Sequence, residues 1–193
     1  MNKLVPEDLY SLEAYAKVRD ENRASVMAHK QHRRLMLGEH VLLLFEDRTT
    51  IKYQVQEMLR IERIFEEAGI LEELDAYNPL IPDGSNWKAT MMIQYTDPGE
   101  RRVALERLIG IEDRVWIKVD GYDPVFAIAD EDLDRATESK TSSVHFLRFE
   151  LTTAMRDAVK HGASLDAGID HPEYVVEASM SEPMRESLIT DLA

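Results

Sequence analysis

Trp87-Lys-Ala-Thr-Met-Met-Ile-Gln-Tyr95 alternates without a break. Trp87, Ala89, Met91, Ile93 and Tyr95 fall on one face, and Lys88, Thr90, Met92 and Gln94 on the other. A period of two is the signature of a half-buried strand. Burial on one face is the habit of antiparallel sheets, whereas parallel strands read as continuous apolar runs. Val144 to Leu151 repeats the pattern, with His145, Leu147, Phe149 and Leu151 opposite Val144, Phe146, Arg148 and Glu150. Arg114 to Val119 and Val125 to Ala129 read as strands joined through Asp120-Gly-Tyr-Asp-Pro124, a hairpin signal. Two short apolar runs around Gly38-Glu39 suggest a hairpin or a broken strand pair, and Leu165, Ala167 and Ile169 a last strand.

Helical patterns separate these strands. Pro6, Glu7 and Asp8 suit a helix start, and Leu9, Leu12, Tyr15 and Ala16 carry the period to about His29. Thr49 and Thr50 are the expected caps of a second helix running to about Tyr77, where Tyr77-Asn-Pro-Leu-Ile-Pro-Asp-Gly-Ser85 ends it. Asp97-Pro-Gly-Glu100 opens another, closed near Gly110. Thr152 or Thr153 caps a short helix that stops at Gly162, and Ser181 opens an acidic C-terminal one. The polar residues 130–143 read as a surface excursion. Strict βαβ alternation is absent. The expected fold is α+β, a mainly antiparallel sheet packed by a long central helix and several shorter helices, with residues 1–193 as one domain.

The composition, 44% apolar and 31% charged, is that of a globular protein. A net charge of −14 opposes binding to nucleic acid or to an anionic membrane surface, both of which draw on clustered Lys and Arg. No cysteine is present, which excludes disulfides, thiolate metal sites and a Cys nucleophile. The first residues lack the apolar segment of a signal peptide, and the apolar run Val41 to Phe45 is too short to span a bilayer. A cytoplasmic location is the expectation.

The second helix carries the oddest feature. On a 100° wheel Ile51, Val55, Met58, Ile61, Ile64, Phe65 and Ala68 form an apolar arc, and Gln54 and Glu57 fall inside it. A carboxylate directed into a core costs several kcal/mol (roughly) unless it is paired, protonated or metal-bound. As a functional residue Glu57 is a general base or metal ligand, with Gln54 orienting a bound group. As a structural one it pairs with an arginine from another element, for which Arg19, Arg23, Arg33, Arg34 and Arg148 are available.

His29 and His32, three apart, can share a helix face and ligate a metal with carboxylates, although basic groups also suit a helix C-terminus. The run His29 to Arg34 is the chain's basic cluster, suited to an anion or an acidic neighbour. In Asp170-His171-Pro-Glu-Tyr174, Pro172 biases His171 towards an extended backbone at a strand end, where loops commonly carry function. His145, on an apolar strand face, reads as a satisfied core residue, and His40 and His161 have ordinary structural explanations. Walker, Rossmann, nucleophile-elbow and zincin motifs are absent.

Arg33-Arg-Leu-Met-Leu-Gly38, Phe45-Glu-Asp-Arg-Thr-Thr50 and Tyr53-Gln-Val-Gln-Glu-Met-Leu-Arg60 resemble an uncharacterised bacterial family catalogued as domain of unknown function 3501. Tyr77-Asn-Pro-Leu-Ile-Pro82, Ala89-Thr90 and Asp170-His-Pro-Glu-Tyr174 look like its later blocks. The resemblance assigns no activity. It implies a redox or oxidative-stress setting, because such genes often accompany rubrerythrin-like and iron–sulfur oxidoreductase genes. The expected function is thus an accessory or binding protein with an oxidoreductase partner, using Gln54, Glu57, Arg34, His171 and Tyr174 as binding residues. A second expectation is a metal-dependent enzyme holding iron, manganese or zinc on Glu57, His29, His32 and His171. A third is a homo-oligomeric scaffold.

Overall fold

The computed structural model describes residues 3–131, 135, 137 and 139–193. Two antiparallel sheets face each other. The first has the order β1-β2-β3-β7-β6, from strands Arg34–Leu37, Val41–Glu46, Asn86–Ile93, Val144–Glu150 and Ile128–Ala129 respectively. The second has the order β5-β4-β8-β9, from Val125–Phe126, Val115–Val119, Leu165–His171 and Tyr174–Ser179. All pairs within them are antiparallel. Six α-helices lie among the described residues: α1 Leu12–Gln31, α2 Arg48–Glu62, α3 Glu67–Tyr77, α4 Pro98–Arg107, α5 Thr153–Lys160 and α6 Glu182–Ile189. The α+β class and the antiparallel pairing are as expected; the strands divide between two sheets.

The period-two faces decide the core. Trp87, Ala89, Met91 and Ile93 of β3 point into one cluster with Leu43 and Phe45 of β2 and Leu147 and Phe149 of β7. From the second sheet come Val115, Ile117, Val119, Leu165, Ala167 and Ile169, and Met155, Val159, Met184 and Leu188 of α5 and α6 join them. The two sheets are linked where the chain passes from β5 to β6 through Ala127, whose N–H bonds Val115 O at 2.8 Å. They meet again where the Tyr174 hydroxyl of β9 donates to Leu37 O of β1 at 2.7 Å. A second apolar cluster (Leu4, Ile51, Val55, Leu59, Leu74 and Ile81) lies among the first three helices and the N-terminal segment.

The expected helix from Thr50 to Tyr77 is broken. Arg63 adopts φ 57°, its N–H bonds Leu59 O, and Ile64 N–H returns to the same carbonyl at 2.9 Å. This is a left-handed helix ending without the glycine or proline that would mark it in sequence. The apolar arc is consequently shorter and rotated. Ile51, Val55 and Leu59 are buried, whereas Ile61, Phe65 and Ala68 are exposed. The buried glutamine is Gln56, which clamps the backbone of Tyr10 by donating to its carbonyl at 3.0 Å and accepting from its N–H at 2.9 Å. The cap of α2 is Asp47, not Thr49 or Thr50; Thr50 closes a reciprocal box with it.

Two further expectations change. The strand beginning at Leu165 runs on to His171 and turns back through Pro172-Glu173 into β9, which was not foreseen. The polar excursion is only partly on the surface: Thr141 is buried and Asp130, at φ 48°, reaches inward, while 132–134, 136 and 138 lie outside the described residues.

Candidate functional site

Glu57 sits on α2 facing α1. Its carboxylate takes a two-pronged ion pair from Arg19, Nε to Oε1 and Nη2 to Oε2 at 2.8 Å each, and accepts the Tyr15 hydroxyl at 2.8 Å. The Arg19 hydrogen bond, opposed by burial, keeps Glu57 below the usual carboxylate range. Burial and the Glu57 contact push the Tyr15 phenol up. An ionised carboxylate with three charge-assisted or hydroxyl donors is a poor base and a well-satisfied structural anion. Gln54 stands beside it, half-buried.

The histidines lie elsewhere. His29, in the last turn of α1, meets Asp47 at the first turn of α2 with Nε2 2.5 Å from Oδ2. Asp47 and Glu57 are ten residues apart along α2, about 15 Å at helical rise. His32 is exposed beyond the end of α1. His171 is buried and does not splay away from its strand: Nε2 donates to Ile109 O at 3.1 Å and Nδ1 accepts Glu173 N–H at 3.2 Å. Both ring nitrogens are thus occupied by backbone. Among the described residues no group of three or more His, Asp or Glu is placed to hold a metal ion. The expected set Glu57, His29, His32 and His171 is not brought together, because α2 and the β8–β9 turn belong to different layers.

The basic cluster divides between two environments. Arg34 points outwards, and Arg33 is fully buried. Arg33 Nε donates to Phe45 O at 2.9 Å, Nη2 to Glu46 O at 3.2 Å, and Nη1 to Ser187 O and Oγ at 3.2 Å each. The same guanidinium pairs with Asp191 and stands 3.5 Å from Asp47 Oδ2. Sequence reasoning named Arg33 only as one possible partner of Glu57. A usable signal was the alternation Arg33, Leu35, Leu37, which extends the inward face of β1 to Arg33, one residue before the strand begins.

Burial, aided by nearby Asp47 and resisted by Arg33, pushes the Asp191 carboxyl up from 3.8 to about 6. One of its oxygens, Oδ1, is buried without a partner among the described residues. Because the folded-state value is the higher one, the native chain binds the extra proton between those two pH values. Stability from this group is therefore full below about pH 4 and is lost as pH rises through about 6. The expected amplitude is on the order of 2–3 kcal/mol. Carbon-detected NMR of the side-chain carboxyls should place the Asp191 midpoint near 6, and the stability difference between the parent and Asp191→Asn should vary with pH in that window. A midpoint at 4 or below would refute it.

A second buried imidazole, His145, meets the expectation of a satisfied core residue. Its Nδ1 lies 2.5 Å from Asp130 Oδ2, and its Nε2 lies 2.9 Å from Thr141 Oγ1 and 3.0 Å from Ser142 O. The ring has no solvent exposure, so this Asp–His–Thr arrangement has no access for a substrate.

The open feature is a two-armed cleft where the β1–β2 turn, the end of β3, α4 and the β8–β9 turn converge. His40 and Tyr95 stack with centroids 3.9 Å apart and ring planes 16° from parallel. One arm, about 560 Å³, is lined by this pair with Glu100, Val103, Arg107 and Tyr174. The other, about 690 Å³, shares His40, Tyr95 and Glu100 and adds Glu39, Arg101 and Ser143. Tyr174 organises the junction: it accepts His40 N–H at 3.1 Å while donating to Leu37 O. Gly38 lets it approach; an added Cβ would sit 2.6 Å from the Tyr174 hydroxyl, and φ is +67°. Arg107 pairs with Glu173 across the rim, both exposed, an arrangement of small net energy that a ligand group can replace. Of the expected binding residues only Tyr174 lines this cleft; His171, three residues away in the same turn, supports it from below.

Residues 3–192 match the family model described as protein of unknown function (DUF3501). A crystal structure of a novel protein of unknown function from Burkholderia pseudomallei K96243 is 55% identical, with all of each chain covered and a TM-score of 0.95. No match is found among curated proteins. Among the described residues no helix is long and apolar enough to cross a membrane.

Proposed function

The chain belongs to the DUF3501 family of proteins of unknown function, and from that premise we propose that it is an accessory or binding protein acting through the His40–Tyr95–Tyr174 cleft. Its partner is an oxidoreductase, in the redox or oxidative-stress setting that the family resemblance implies. One observation carries the reading. The residues with chemical potential elsewhere, Glu57, His145 and His171, are engaged by other protein groups, whereas the cleft presents aromatic and charged side chains from four separate segments at the surface. Tyrosine and arginine around a small apolar floor are the composition of an interface centre, and the volume suits a peptide side chain or a small ligand.

Affinity capture with the tagged chain tests this, run in parallel with a Tyr95→Ala/Arg107→Glu variant that removes one half-buried and one exposed side chain and is checked for an unchanged circular dichroism spectrum. An oxidoreductase enriched by the parent and lost by the variant is the expected result. Equal capture by both, or no oxidoreductase at all, would sink the reading. Metal analysis of the same preparations separates the alternative: stoichiometric iron, zinc or manganese, lost in a folded Glu57→Ala protein, would mark a metal-dependent enzyme instead.

A further inference from the structure

The α2–α3 elbow exposes side chains that a folded chain ordinarily covers. Ile61 is 63% exposed, Phe65 71% and Leu71 43%. Phe65 lines a groove of about 400 Å³ together with Leu9, Leu12, Leu59, Ile64 and Ile70, and Ile61 and Leu71 lie on the two helices that the elbow joins. The break at Arg63 turns Phe65 away from the core that the unbroken period would have given it, whereas Ile61, before the break, is exposed because the buried apolar stripe of α2 runs through Ile51, Val55 and Leu59. Nothing in the function proposed above uses this surface.

Glu13 lines the groove, and the segment that carries the exposed apolar side chains is strongly acidic. Residues 61–75 hold six carboxylates, Glu62, Glu66, Glu67, Glu72, Glu73 and Asp75, against one cation, Arg63. That is twice the acidic density of the whole chain, where 37 of 193 residues are Asp or Glu. Among the described residues none of the six is in an ion pair, so their field is not neutralised internally. Burial, with Glu62 and Glu72 close by, holds the Glu73 carboxyl above its usual range, as expected where like charges crowd. The groove runs between helices and offers no free strand edge, which favours a helix over an extended peptide as its occupant.

We propose that the α2–α3 elbow is a docking site for a basic amphipathic helix of a partner protein, whose apolar face enters the groove beside Phe65 and whose Lys or Arg residues meet Glu13 and the carboxylates of residues 61–75. The apolar floor supplies affinity, and the charge gives orientation and selects against acidic partners. An equal second copy of this chain is a poor occupant, because the acidic segment would face itself with like charge.

The probe is a fluorescent leucine–lysine peptide of about 18 residues, long enough for five helical turns, with its leucines at helical period. Two controls are a leucine–glutamate counterpart and a scrambled leucine–lysine peptide of identical composition. Fluorescence anisotropy should show saturable binding of the first peptide only, weakened by salt. An Ile61→Ser/Phe65→Ser variant should bind at least tenfold more weakly with an unchanged circular dichroism spectrum and melting temperature, since both side chains are exposed. Equal affinity of that variant, or of the scrambled peptide, overturns the proposal. So does a concentration-dependent dimer of the parent that Phe65→Ser abolishes in sedimentation, because a second copy would then cover the groove.

Discussion

Arg33→Ala is expected to be among the most damaging single substitutions in this chain. It removes a fully buried guanidinium that pairs with Asp191, stands against Asp47 and caps the carbonyls of Phe45, Glu46 and Ser187. Deleting one partner of a buried ion pair costs about 3–5 kcal/mol, because the other charge is left without compensation. Here the loss should also be local. Ser187 and Asp191 belong to the C-terminal segment, which is otherwise fastened by the Trp87 indole on Leu188 O at 3.0 Å and by Ala193 N–H on Gly84 O at 2.8 Å. Denaturant unfolding should fall by that amount, and hydrogen exchange should rise first over residues 182–192. Arg33→Lys keeps the charge but not the planar fork, and should recover less than half of the loss. A melting temperature within two or three degrees of the parent (roughly 1 kcal/mol or less for a domain of this size), or exchange that rises evenly through the chain, would show that Arg33 is not the fastening.

The second large effect is expected at Gly168, where two rules oppose each other. Alanine normally outperforms glycine in a strand by roughly 0.5–1 kcal/mol through backbone entropy. At this position an added Cβ would lie 2.3 Å from Trp116 Cζ2 and 2.6 Å from Val176 O. Trp116 is the cross-strand partner of Gly168 in the β4–β8 pair, and its ring lies over the bare glycine. The ring can swing aside; the Val176 carbonyl belongs to β9 and cannot move without disturbing the β8–β9 hairpin. Gly168→Ala should therefore destabilise by about 1–3 kcal/mol, the usual cost of overpacking. It should cost measurably less in a Trp116→Ala background, where half the clash is gone, and that coupling is readable in a double-mutant cycle. A stabilised Gly168→Ala protein would show that entropy dominates and that the ring is loosely held.

Legibility differed by element for identifiable reasons. The strands from Asn86 and Val144 were readable because a sheet with one wet face writes a period of two into its sequence. The Asp97 and Thr152 caps and the hairpin at Gly38 were readable because capping and turn geometry act over three or four residues; the start of α1 was misplaced, since Pro6–Asp8 forms a separate short 3-10 turn and Ser11 caps the helix at Leu12. The break at Arg63 was not, since a left-handed arginine carries no local marker and is held by the packing on either side. The break moved Phe65 from expected core to exposed groove, whereas Ile61 was misplaced by the phase of the arc, since the buried apolar stripe of α2 is Ile51, Val55 and Leu59. Strand β9 was missed because it is an edge strand whose inward residues, Tyr174, Val176 and Ala178, are only half-buried, while the apolar Val175 faces solvent and blurs the alternation.

By itself the sequence determined the α+β class, the antiparallel pairing, the starts of α4, α5 and α6 and the fact that Glu57 needed a partner. These follow from hydrophobic period, cap chemistry and the cost of an unpaired carboxylate, all of which act within one element. Only the tertiary structure decided which arginine answers Glu57, that Arg33 is inside while Arg34 is outside, and that His171 is occupied by backbone. It alone assembled the cleft, from residues as far apart as His40 and Tyr174. Such pairings depend on how two sheets and three helices stack, and long-range packing leaves no trace in the spacing of neighbouring residues.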